Sequence, residues 1–288
     1  MFKPSHLTDE AANVLAGAID ERVYFVQSKR WIAYPKAVLI LDHLNKLLKH
    51  PRTTRMPSLV VYGDSGMGKS MLVDKFKTNC AAGSASTAKK LLVVELSGRP
   101  NERRLFSQIL AAVEAPHSPR SNIVDMERGA INTLRDVGVQ ILVLDEIHNL
   151  LAGSWREQRI VLNTLRFLSN ELKLSLVCFG IMEARDAING DVQLARRFDA
   201  VTLPRWTGGK EFEQLVLAIV RNLPLREPSV LTVKGLRRVL QLSGGVSSRI
   251  FRMLNDLAIE AIETGVECIT DNSVEKYRPI SENEVAFQ

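Results

Sequence analysis

Apolar residues along this chain fall into two patterns. Short, mostly β-branched or leucine-rich runs at residues 58–62, 91–96, 141–144 and 174–179 have the length of strands buried on both faces. Between them apolar residues recur every three or four positions, as along one side of a helix. Leu72, Val73 and Phe76 share a face after the first run. Leu105, Ile109, Leu110 and Val113 point inward from a helix expected over 104–115, and a further helix is expected over 159–172. Strands alternating with helices predict an α/β fold in which a parallel sheet lies between helices.

The flanks read differently. Thr8 is placed to cap a first helix, with Asp9 and Glu10 favouring the positive end of its dipole. A second helix begins at Pro35, repeats Val38, Leu41, Leu44 and Leu48, and closes before Pro51. Beyond Trp206 strands cease, and residues 211–223, 233–242 and 249–264 read as three helices, the last two parted by Gly244-Gly245. Pro204, Gly208 and Gly209 mark the change. The expected organisation is a helical extension over 1–52, an α/β core over 53–205, a small helical lid over 206–275 and a polar tail over 276–288.

Composition alters this picture little. The chain has 288 residues, of which 45% are hydrophobic and 24% charged, an ordinary balance for a globular protein. No apolar run is long enough to span a bilayer, and the N-terminus lacks the apolar stretch of a signal peptide, so a cytoplasmic location is expected. Cys80, Cys178 and Cys268 lie far apart without metal or redox spacing and are expected to be buried, reduced thiols. A net charge of +6 is compatible with a polyanionic partner and equally with a solvated basic surface.

Chemistry enters with Gly63-Asp64-Ser65-Gly66-Met67-Gly68-Lys69-Ser70, which satisfies G-x-x-x-x-G-K-[ST] at every fixed position. It joins an expected strand to an expected helix, the context in which turned backbone N–H groups cradle phosphates. The cradle, continued by Met71, is expected to bind ATP, with Lys69 reaching the β and γ phosphates and the Ser70 hydroxyl ligating Mg²⁺. The run 141–144 ends in Asp145 and Glu146. A parallel strand delivers such a pair to the carboxyl edge of its sheet, where ligands bind. Asp145 can then hold Mg²⁺, directly or through water, while Glu146 polarises an attacking water, a division of labour sufficient for ATP hydrolysis. His148 completes the string Asp-Glu-Ile-His. A helicase of that type needs a second comparable domain, which is not legible here, so His148 reads either as a contact to the nucleotide switch or as a surface side chain.

Together these residues resemble the AAA+ ATPases and, within them, the TniB-like transposition regulators related to TnsC. The phosphate loop and acidic strand are shared by many AAA+ proteins. More particular to TniB-like proteins are Trp31-Ile32-Ala33-Tyr34-Pro35-Lys36-Ala37, Arg55-Met56-Pro57 and Leu203-Pro204-Arg205-Trp206. The resemblance spans about residues 31–277 and implies a P-loop AAA+ core followed by a helical lid. It also implies an arginine finger acting in trans in Gln193-Leu194-Ala195-Arg196-Arg197-Phe198: Arg197, or alternatively Arg196. Arg249, in Gly244-Gly245-Val246-Ser247-Ser248-Arg249, is the implied sensor of the γ-phosphate, with Arg252 a lesser candidate. One position departs from the family. Gly180 is followed by Ile181 where TniB-like proteins tend to carry Gly-Thr; the loss of a hydroxyl there predicts slow turnover.

The same resemblance implies an ATP-dependent protein that oligomerises, as filament or ring, on double-stranded DNA without sequence preference and recruits or activates a DDE transposase, with or without a target-selection adaptor. Arg99, Arg103, Arg104 and Arg120 are the candidate phosphate contacts, a solvated basic face being the other reading. No helix-turn-helix, zinc-finger spacing or carboxylate triad for strand transfer is visible. Two other functions remain open: another small AAA+ machine such as a helicase loader or initiator-like ATPase, and a nucleotide-switched scaffold with little hydrolysis.

Overall fold

The structure is a computed structural model that describes residues 4–83, 87, 89–116, 118 and 121–278. Arg120 and the tail from residue 279 lie outside the described residues. The chain divides into two compact units, one comprising Lys36–Pro204 and the other formed by residues up to Pro35 together with those from Arg205 onward.

In the first unit five strands form one parallel sheet: β1 (Ser58–Tyr62), β2 (Leu91–Glu95), β3 (Ile141–Asp145), β4 (Ser175–Gly180) and β5 (Phe198–Thr202), in the order β2-β3-β4-β1-β5. β4 is buried along its whole length, and β1 and β3 along all but their last residues. This explains their uninterrupted apolar character. Alternate residues Val60, Leu92, Val94, Leu142, Leu144, Leu176 and Cys178 join one core cluster with Leu105, Phe106, Ile109, Met126, Leu134, Val161, Leu165 and Leu168 from the helices Glu102–Ala112, Ile123–Val137 and Trp155–Leu172. Local chemistry sets these helix ends. Asn101, Asn122 and Ser154 cap them, the last in a capping box with Glu157, and Gly138 closes one in the left-handed conformation.

The second unit is helical. Lys210–Arg221, Val233–Ser243, Ser247–Glu263 and Asp271–Lys276 form it with Asp9–Val14 and Ile19–Gln27 from the N-terminus. Val26 lies in the same apolar cluster as Phe212, Leu215, Ile219, Ile250, Leu254 and Leu257. Trp206 stacks edge-on against Tyr34 with ring centroids 5.2 Å apart and donates its indole N–H to Ser247 Oγ at 2.9 Å. Two segments singled out in the sequence thus meet in one small core. Burial pushes the Tyr34 hydroxyl up to about 12. No described helix is long and apolar enough to cross a membrane.

Several expectations are corrected. Residues 1–52 are not one extension, because the first two helices join the C-terminal helical unit while Pro35–Leu48 begins the other. That helix buries Ala37, Ile40, Leu41, Leu44 and Leu47, whereas Val38 is exposed and Leu48 half-buried. The helix expected over 104–115 runs from Glu102 to Ala112, so Val113 falls outside it. β5 and the helix Ile123–Val137 are additional elements. Cys80 and Cys178 are buried as expected, but Cys268 is only half-buried.

Candidate nucleotide site

Strand register gathers the phosphate loop and the two acids at one edge. Tyr62, the last residue of β1, pairs with Gly180 of β4 and Thr202 of β5, while Asp145 at the end of β3 pairs with Glu95. The chain leaving β1 is pinned there by Gly63 N–H donating to Gly180 O at 3.2 Å and Leu203 N–H donating to Tyr62 O at 2.7 Å. Gly63 has to be glycine, since a Cβ would stand 2.4 Å from Leu203 O. Gly66 and Gly68 take φ of 78° and 92°, and a Cβ built on Gly68 meets nothing within 4 Å. The loop therefore turns by glycine conformation around open space and feeds the helix Lys69–Gly83. Its geometry and the amides of that helix start suit a phosphate chain.

The side chains fit the same group. Lys69 is buried, its ammonium donating to Gly63 O at 2.8 Å and Asp64 O at 2.9 Å. Burial lowers its pKa, opposed by the charges of Glu146, Asp145 and Asp64. The exposed Ser70 donates its hydroxyl to Asp145 Oδ2 at 3.3 Å. A hydroxyl and a carboxylate so close, at the foot of a phosphate loop, are the oxygen donors that Mg²⁺ accepts beside phosphate. Asp145 Oδ1 accepts the N–H of Glu146 at 2.9 Å, and Glu146 itself adopts the left-handed conformation with φ 56°. His148 Nε2 lies 3.2 Å from Glu146 Oε2.

Arg197 sits at the other edge. Its carbonyl accepts the N–H of Ser58, the first residue of β1, at 2.9 Å, and Phe198 pairs with Ser58. The phosphate loop begins after the fifth residue of that strand, so the length of β1, about 13 Å, separates them. The Arg197 guanidinium donates to Asn170 Oδ1 at 2.7 Å; its pKa is lowered by burial and by the neighbouring charges of Arg55 and Arg166, with Asp191 opposing. Arg196 is more exposed. Arg249 is exposed in the first turn of Ser247–Glu263, in the helical unit, as is Arg252 one turn on.

The candidate DNA contacts lie in and after the turn that follows β2. Arg99 is exposed and ion-paired with Glu157 at 3.2 Å. Arg103 donates to Ser121 O at 2.6 Å. Arg104, also exposed, lays its guanidinium on Gly98, where a Cβ would stand 2.5 Å from Nη1.

Comparison with known proteins follows the same lines. Residues 22–208 match the family described as TniB, bacterial TniB protein. No curated protein matches the chain. Among solved structures it is similar to the Aeropyrum pernix ORC2 protein in its ADPNP–ADP complexes, with a TM-score of 0.62 and 16% identity over 87% of this chain and 70% of that one. It is also similar to the Aeropyrum pernix ORC1 protein in complex with DNA, with a TM-score of 0.59 and 15% identity over 88% and 67%. Drosophila ORC bound to DNA gives 0.58 and 16% over 96% and 68%. At such identities the likeness establishes the fold alone, a parallel α/β core with a helical C-terminal region.

Proposed function

This chain belongs to the bacterial TniB family, and from that premise we propose that it is an AAA+ ATPase that assembles on double-stranded DNA and recruits or activates a DDE transposase. The observation that carries assembly is the separation of its two chemical groups. Phosphate loop, Ser70, Asp145 and Glu146 occupy the carboxyl edge of the sheet, and Arg197 the amino edge. With its backbone a strand's length from its own loop and its guanidinium held by Asn170, Arg197 is placed to serve the loop of another copy, which would complete the site between subunits. Contacts between unlike faces give rings or helical rows.

Within each subunit the loop amides and Lys69 hold the phosphates, and Ser70 and Asp145 hold Mg²⁺. When bound, Mg²⁺ neutralises phosphate charge. Glu146 polarises the water, and hydrolysis loosens the assembly. The nucleotide-bound Aeropyrum pernix ORC2 and DNA-bound ORC proteins of similar fold lend support to a nucleotide and a DNA partner.

Electron microscopy of a Glu146→Gln variant with ATP and duplex DNA tests this. Persistent assemblies on duplex are expected, and Arg197→Ala should bind ATP with unchanged affinity yet fail to assemble. Assembly of Arg197→Ala at the wild-type level would remove its role in trans, and failure of Arg196→Ala instead would move that role by one residue. Preference for single strands would favour a loader-like ATPase.

A further inference from the structure

His148 touches both an acidic and a strand-end component of the site. It follows Glu146 by two residues, but the left-handed backbone at Glu146 and the short 3-10 helix Ile147–Ala152 turn it back over the end of β4. Its Nε2 lies 3.2 Å from Glu146 Oε2. Its Nδ1 faces the N–H of Ile181 at 3.5 Å. Gly180 makes room for the ring: a Cβ there would stand 3.2 Å from Nδ1 and 2.8 Å from the Ala184 Cβ. The imidazole is 19% exposed. A neutral imidazole that accepts at Nδ1 carries its proton on Nε2, the nitrogen directed at the Glu146 carboxylate.

We infer that His148 is a positioning residue for Glu146, tying its carboxylate to the end of β4 where residue 181 has no hydroxyl. The inference rests on the reading of Glu146 as the group that polarises water. Ile181 offers only its backbone N–H, and His148 converts that N–H into an oriented donor aimed at the carboxylate. Glu146 is thereby held from two sides, its own N–H by Asp145 Oδ1 at 2.9 Å and its carboxylate by the imidazole. The first contact fixes the Glu146 backbone and the second restrains its carboxylate at Oε2, and misplacement of a reacting group by about 1 Å costs roughly 100-fold in rate.

Three measurements on the full-length protein test this. First, His148→Ala should lower kcat for ATP roughly 10- to 100-fold while KM and the affinity for a fluorescent ATP analogue stay unchanged. His148→Gln, which retains an N–H donor at the place of Nε2, should recover to within about threefold of wild type. Second, nitrogen NMR of the imidazoles at about pH 8, where an ordinary histidine is neutral, should show His148 in the Nε2-protonated tautomer without nucleotide. Third, Glu146→Gln serves as the reference. If it is inactive and His148→Ala turns over like wild type, positioning by His148 is refuted and the ATPase reading stands; if Glu146→Gln is as active as wild type, that reading fails and this inference with it. A parallel loss of nucleotide affinity in His148→Ala and His148→Gln, or an Nδ1-protonated ring, would likewise overturn the role. Should His148→Ala not fold, His148→Gln and the tautomer decide.

Discussion

Lys69 shows at the scale of one residue what the site is built for. Its ammonium is buried against two neutral carbonyl oxygens, and burial lowers its pKa against the opposing charges of Glu146, Asp145 and Asp64. A polyphosphate would add negative charge at this buried cation. Bound nucleotide should therefore stabilise the fold through this residue. Melting with ATP at a hundred times Kd should gain about 2.7 kcal/mol for the wild type, and Lys69→Ala should gain almost none; an equal rise in Tm would dismiss the role. The residues of the loop were legible in the sequence because glycine, lysine and serine at fixed spacing have one common structural use. The contact of His148 with Glu146 was not, because residues two apart face each other only if the chain reverses. That reversal depends on a left-handed φ at a glutamate, which composition does not announce.

Among the elements, the helix Ile19–Gln27 is fastened to the loop before Thr270 by a buried ion pair. Arg22 donates to Glu267 Oε1 at 2.9 Å and to Pro224 O at 2.7 Å, and both partners are buried. Hydrogen bonding from Arg22 holds the Glu267 carboxyl below its usual range, against the opposing effect of burial. Removing Arg22 leaves the buried Glu267 carboxylate with only the contacts from Arg226, so Arg22→Ala should cost up to about 3–5 kcal/mol in denaturant unfolding. The sign with pH follows from the lowered pKa. This stability is present above the unfolded carboxylate value of about 4.3 and is lost as pH falls through the folded one; Glu267→Gln should flatten the acid limb, and an unchanged limb would contradict the assignment. Pairing across 245 positions leaves no periodic trace, which is why the N-terminal helices were read as a separate extension. β5 escaped notice for another reason. It pairs on one side only and its middle residues are exposed, so it lacks the apolar run that revealed β1, β3 and β4. In Pro35–Leu48 apolar residues on adjacent faces left the stripe ambiguous by one position, and packing chose Ala37 and Ile40 over Val38.

For the whole molecule the open quantity is its grip on DNA. Arg99 is engaged with Glu157 and Arg103 with the Ser121 carbonyl, contacts that compete with a phosphate backbone without forbidding one. If both arginines neutralise phosphates, replacing them by alanine should weaken duplex binding uniformly across sequences and reduce the slope of log affinity against log salt by about 2. An unchanged slope would mark them as surface residues. Fold class, the strand pattern of the sheet centre and the helical C-terminal region were readable from periodicity, since each follows from what must be buried. Which edge Arg197 occupies was not, because that follows from its standing just before β5, a strand without an apolar run. The parallel sheet has one further result. With the phosphate loop at one edge and Arg197 at the other, any row of these subunits joined head to tail carries an arrow. One terminus shows an uncovered loop and the other an unmatched guanidinium, so a protein meeting the two tips meets two different surfaces and can tell front from back.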